Sequence, residues 1–255
     1  MSETPKGSNI ADHIFADLRQ QILSSALKAG ERLPGERELA SKYDTNRNTL
    51  REAVRKLEQA RLVTVKHGRG LTVADFRKTG TLELLAPYLQ TGPDISDLAQ
   101  IVEDILPPRI LLIEYAARLA ARRADQADVD RLRQISDLLA RAFESNDPAL
   151  VARGFQSWLD ALVDAGHSVA IRWIANPFFD ALRETLDRFP MLWVMEPSFP
   201  KHLRDFVAAV QEGDEEKAAN LTRAYYTKVD SILMKLLRAG VATARSSKPQ
   251  RTADD

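Results

Sequence analysis

The sequence predicts a mainly α protein in two parts: a small unit of three helices closed by a β-hairpin, followed by a long all-α helical bundle. Three observations carry this. Apolar residues recur at helical spacing through the first sixty positions, and two short β-branched runs then flank a glycine pair in "LVTVKHGRGLTVADF". Beyond residue 80, helical periodicity is almost unbroken and strand signals are absent.

The first helix follows from "NIADHIFADLRQQILSSAL", where Ile10, Ile14, Leu18 and Ile22 fall at four-residue steps on one face. A Gly/Pro break in "KAGERLPGERELASKY" precedes a short helix from about Glu36 to Tyr43. "DTNRNTLREAVRKLEQARL" offers polar caps and a helix with Leu50, Ala53, Val54 and Leu57 on a single face. The glycine pair then gives a hairpin with a basic tip. These elements define a first domain over 8–75, a linker over 76–80, a helical domain over 81–240 and a polar, disordered tail over 241–255. Within the helical domain, Pro107-Pro108 predicts a break or kink, and Asn176-Pro177 and Gly213-Asp214 predict helix ends.

Composition narrows the function. The 255 residues are 44% hydrophobic and 28% charged, as in an ordinary globular protein. There is no cysteine, which excludes disulfides, thiolate metal sites and thiol catalysis. The polar start "MSETPKGSNIADH" lacks the apolar core of a secretory signal, and no uncharged apolar run has membrane-spanning length; a cytoplasmic protein that does not engage membranes is expected. A Gly-rich phosphate loop and a His-carboxylate spacing suited to catalysis are both missing, so an enzyme is not expected.

Net charge is zero, but residues 42–69 hold 8 basic against 3 acidic side chains. A confined basic patch on a neutral chain suits a polyanion. In a helix-turn-helix, the first residues of the second helix project into the major groove while its other face packs inward. Here Arg47, Asn48, Thr49 and Arg51 stand at the helix start, outside the apolar stripe. Arg47 or Arg51 can make the forked bond to guanine; Asn46, Asn48 and Thr49 can reach base edges or phosphates. Lys66, His67 and Arg69 on the hairpin add phosphate or minor-groove contacts. Ordinary solvated helix charges, with Glu52 paired to Lys56, are the competing reading. The flanking helix and basic hairpin weigh against it.

The motifs "LPGERELA", "NRNTLREA" and "HGRG" resemble the winged helix-turn-helix of the GntR family of bacterial transcription regulators. The helical remainder resembles the effector domain of the FadR subgroup. The resemblance implies that Arg37, Asn46, Arg47, Asn48, Thr49, Arg51, His67 and Gly68 occupy DNA-contact positions. Asn46 and Asn48 replace the Thr or Ser common there. It further implies a homodimer on an inverted-repeat operator in double-stranded DNA, with repression the expected outcome and activation the alternative left open.

Many members of the subgroup hold a metal through one Asp and three His. This chain has Ala152, Gln156, Leu203 and Tyr225 at those positions, so neither a metal nor another cofactor is expected. His202, one residue off that register, is expected at the surface. Losing the metal leaves a resemblance to fatty-acid-responsive members, with a fatty acyl-CoA as the candidate effector. Arg109, Trp158, Trp173, Asn176, Tyr225 and Tyr226 are the candidate pocket residues: Arg109 for a carboxylate or phosphate, the aromatics for an apolar chain. Plain core packing is an equal reading of the tryptophans. The alternatives are a regulator answering to a small organic acid and a DNA-binding dimer without an effector.

Overall fold

The structure, a computed structural model, describes residues 7–66, 70–145, 147–188 and 196–246. It divides into two compact units, Met1–Pro93 and Asp94–Asp255.

In the first unit, α1 (Gly7–Leu23), α2 (Glu36–Lys42) and α3 (Arg47–Gln59) precede a hairpin of β1 (Val63–Lys66) and β2 (Gly70–Val73). The apolar four-residue steps become the core: Ile14, Leu18 and Ile22 of α1 are buried with Leu50, Ala53 and Leu57 of α3 and Leu39 of α2. The α2–α3 turn passes through Asp44 at φ 46°, a left-handed conformation that aspartate tolerates. The hairpin is antiparallel, with Val63 opposite Val73 and Lys66 opposite Gly70. It is also tied to the chain before α2. Gly30 donates to the Val73 carbonyl, Val73 to that of Glu31 and Leu33 to that of Leu71, each at 2.9 Å.

The segment expected as a linker is a helical turn, α4 (Phe76–Thr79), and the Thr79 hydroxyl donates to the Arg61 carbonyl at 2.8 Å. A 3-10 turn (Leu82–Leu84) and α5 (Leu85–Gln90) follow. Their buried Leu84, Ala86, Tyr88 and Leu89 belong to the first unit, so the division falls later than residue 81.

The second unit holds α6 (Ile95–Arg123), α7 (Gln126–Glu144), α8 (Pro148–Ala165), α9 (Val169–Arg188), α10 (Phe199–Gln211) and α11 (Glu215–Ser246). Two expected breaks are corrected. Pro107 and Pro108 sit inside the 29-residue α6, and Pro177 sits inside α9. A proline removes one backbone donor and strains the preceding turn, but packing overrides this local cost. Ala175 and Phe179, on either side of Pro177, are buried. The helix α6 is held along α11 by ion pairs in antiparallel order: Arg122–Glu215 at 2.8 Å, Arg118–Glu216 at 3.1 Å, Arg223–Glu114 at 2.9 Å and Arg238–Glu103 at 2.8 Å. Gly213, at φ 70°, turns the chain between α10 and α11 where the sequence placed an end. The helix α11 continues past 241 to Ser246, and residues 247–255 lie outside the described ones.

Candidate nucleic-acid interface and effector cavity

The start of α3 is built by its own cap. Asn46 stands in extended conformation and its side-chain oxygen accepts from the Thr49 N–H at 2.9 Å, fixing the first turn. Arg47, Asn48 and Arg51 are exposed, as is Arg37 on α2. Arg51 is paired with Glu36 of α2 at 2.9 Å, both half-exposed. Two adjustments follow. Thr49 is buried, because the helical period turns it towards Leu50 and Ala53. Arg55, exposed and one turn beyond Arg51, extends the Arg47–Arg51 stripe, a four-residue step already present in the sequence. Lys56 is drawn aside by Asp12 at 2.6 Å and Glu52 at 3.2 Å. Lys66 closes β1, while His67, Gly68 and Arg69 lie outside the described residues.

In the second unit the six candidate pocket residues do not form one site. Trp158 is fully buried, and its indole N–H donates to the Ser136 hydroxyl at 3.1 Å; it is core. Trp173 is 72% exposed and Asn176 is exposed beside it on α9, because both lie on the face of that helix turned away from α8. Only Arg109, Tyr225 and Tyr226 come together. The Arg109 guanidinium lies 5.0 Å from the Tyr226 ring centroid, and Tyr225 and Tyr226 are 5.4 Å apart in edge contact.

His202 is buried, contrary to the surface position expected for it. It stacks on Tyr225 at 4.3 Å and lies 6.3 Å from Trp158. Burial pushes its pKa down to about 4. Burial also raises the hydroxyl pKa of Tyr225 and Tyr226. Ala152 and Leu203 carry no ligating atom, and Tyr225 is engaged in aromatic packing.

A cavity of about 490 Å³ lies between α8 and α9, with Phe155, Leu159, Phe179 and Leu182 in its lining. Arg153, Arg183, Asp147 and Asp187 are the charged residues of its lining, with Arg183 paired to Asp180 at 2.7 Å, and Ala152 and Gln156 also line it. It lies within the range of about 300–1,000 Å³ common for small-molecule pockets. The Phe155 wall leads inward to Phe199 at 6.0 Å and from there to Tyr225 at 5.4 Å, so the cavity and the Arg109 cluster share an aromatic partition. No local sequence signal marks the cavity, because its lining is assembled from two helices.

Residues 10–73 match the model for bacterial regulatory proteins of the gntR family, and residues 104–228 match the FCD domain. The chain is 28% identical over 229 residues to the HTH-type transcriptional regulator Mce2R of Mycobacterium tuberculosis, covering 90% of this chain and 93% of that one. It is 25% identical over 232 residues to the putative L-lactate dehydrogenase operon regulatory protein of Escherichia coli, covering 88% and 86%. Among solved structures, Lar of Listeria monocytogenes shares the fold at a TM-score of 0.59 and 17% identity, over 92% of this chain and all of that one. These relatives are named as regulators, not enzymes. With a helix-turn-helix that presents an arginine stripe and a helical FCD unit that holds a cavity, the chain belongs to the gntR family of bacterial transcription regulators.

Proposed function

We propose that this regulator acts as a homodimeric repressor on an inverted-repeat operator and is released by an effector in the α8–α9 cavity. The observation that carries the DNA reading is the exposed row of Arg47, Asn48, Arg51 and Arg55 beside the capped N-terminus of α3. Arginine forks address guanine, and the free amides of a helix start favour phosphate. The apolar lining of the cavity suits a molecule with an apolar body, and Arg153, beside it, can meet an acid or phosphate group next to the carboxylates of Asp147 and Asp187. A fatty acyl-CoA has that chemistry. Effector binding would favour a dimer geometry in which the two recognition helices no longer match the half-sites.

The test is fluorescence anisotropy of the full chain on duplexes from its own upstream region, with and without oleoyl-CoA. Salt-dependent binding to one inverted repeat, weakened tenfold or more by oleoyl-CoA, is the expected result. Sequence-independent binding would overturn the operator reading. Retained binding at saturating oleoyl-CoA, with release by L-lactate, would replace the fatty-acid reading with the small-organic-acid one. The likeness to the L-lactate dehydrogenase operon regulator is what favours that second reading.

A further inference from the structure

The helix α6 interrupts its own hydrogen-bond ladder where it runs beside α11. Pro107 has no backbone N–H, so the Glu103 carbonyl lacks the donor that a helix supplies four residues on. Glu103 and Pro107 also line a groove of about 290 Å³ between the two helices. Its apolar part is Leu106, Pro107 and Ile110 from α6 and Met234 from α11.

The polar part of the groove is rich in acceptors. Both charged residues of the lining are acidic, Glu103 and Asp230, and no basic side chain belongs to it. Their countercharges come from outside the lining: Arg238 meets Glu103 Oε1 at 2.8 Å, and Arg109 meets Asp230 through Oδ1. Asp230 is only 8% exposed, and its second oxygen, Oδ2, is buried without a hydrogen bond. A buried carboxylate oxygen with no donor is costly, because nothing replaces the water it has lost. Thr227 and Ser231, four residues apart on α11 and exposed, add two hydroxyls on either side of Asp230 in the chain.

These groups select a charge. An anion would meet two carboxylates, and a purely apolar molecule would leave Oδ2 unpaired. A primary ammonium brings one positive charge and three N–H donors. We propose that this groove is a second ligand site of the chain, separate from the α8–α9 cavity, and that it takes a small primary ammonium with an apolar body. The ammonium would donate to Asp230 Oδ2 and to the hydroxyl and carbonyl oxygens beside it, while the body lies along Ile110 and Met234. Burial raises the Asp230 pKa and the Arg109 guanidinium opposes that rise, so a cation at Oδ2 would act in the same sense as Arg109. The volume, at the lower end of the usual range of about 300–1,000 Å³, restricts the ligand to a short chain.

The test is calorimetric titration of the full chain at pH 7 with n-hexylammonium chloride and, separately, with 1-hexanol. One-to-one binding of hexylammonium, at least tenfold tighter than that of hexanol, is expected. Asp230→Asn removes the charge, and Ser231→Lys, at an exposed position, sets an ammonium of the chain itself beside the groove. Each should weaken hexylammonium at least tenfold; if Asp230→Asn does not fold, Ser231→Lys alone decides. Hexylammonium binding no tighter than that of hexanol would overturn the proposal, as would an affinity unchanged in Ser231→Lys. Loss of hexylammonium binding in Ala152→Phe but not in Ser231→Lys would place the amine in the α8–α9 cavity, beside Asp147 and Asp187, and would overturn it too.

Discussion

Arg109 of α6 and Asp230 of α11 form an ion pair with both side chains only 11% exposed, and Arg109 also lies over the Tyr226 ring. The pair is not fully satisfied: Arg109 Nε, Asp230 Oδ2 and the Tyr226 hydroxyl are buried and make no hydrogen bond. Burial raises the Asp230 pKa, and the guanidinium opposes that rise. Such a pair fixes the register of two long helices more than it stabilises them.

Asp230→Ala should therefore cost about 3–5 kcal/mol in urea unfolding, because it strands the Arg109 charge. The double variant Arg109→Met/Asp230→Leu should recover most of that loss. Equal losses in the single and double variants would mean that packing, not charge, holds the two helices here.

His202 makes stability depend on pH. Its folded pKa, about 4, lies below the value of 6.5 for a free side chain, so the unfolded chain takes up the proton first as pH falls. Its contribution is fully present above pH 6.5 and is lost as pH drops towards 4, about 3 kcal/mol in all. Glu114 and Glu196, whose pKa values are lowered, act in the same direction but only below their ordinary range near 4.5. Thermal melts between pH 7 and 4.5 should show the fall, and His202→Leu should flatten it.

On DNA, Arg47→Ala should cost about 1–3 kcal/mol at the operator and blunt discrimination between sequences. Lys66→Ala should weaken all duplexes alike and lower the salt slope by about one. Salt titrations on specific and scrambled duplexes separate the two effects.

Asn46→Ala removes the cap of α3 and should cost about 1 kcal/mol of stability. Thr49→Val, at a buried position, should leave operator affinity nearly unchanged. A large loss of affinity from Thr49→Val would return that residue to the interface.

In the helical unit, Ala152→Phe should fill part of the α8–α9 cavity. Calorimetry should then register loss of oleoyl-CoA binding while affinity for DNA stays as it was.

The DNA-binding unit was legible in the sequence because its information is local. Asn46 caps three residues ahead, and Leu50, Ala53 and Leu57 mark a helix face by spacing alone. Thr49 is buried although the spacing set it outside the stripe, because a polar residue beside a stripe can belong to its edge. The helical unit was legible as helices but not as a site. Nothing local separates Trp158, fully buried, from Trp173, which faces solvent, since their placement depends on which helix each face meets. Pro107, Pro108 and Pro177 signalled breaks that tertiary packing overrode. The cavity is lined by residues from two helices, α8 and α9, and no single window of sequence records how two helices meet.

The backbone bonds from Gly30, Glu31 and Leu33 to β2 make the hairpin a third-strand partner of the segment that leads directly into α2. The wing and Arg37 are therefore parts of one lever rather than two independent arms. Displacing the hairpin across a groove would drag the start of α2 with it. In hydrogen exchange, the amides of Leu33 and Val73 should open and close together as one cooperative unit. Under the proposed DNA reading the two regions form a stiff jaw, and an operator has to fit both at once.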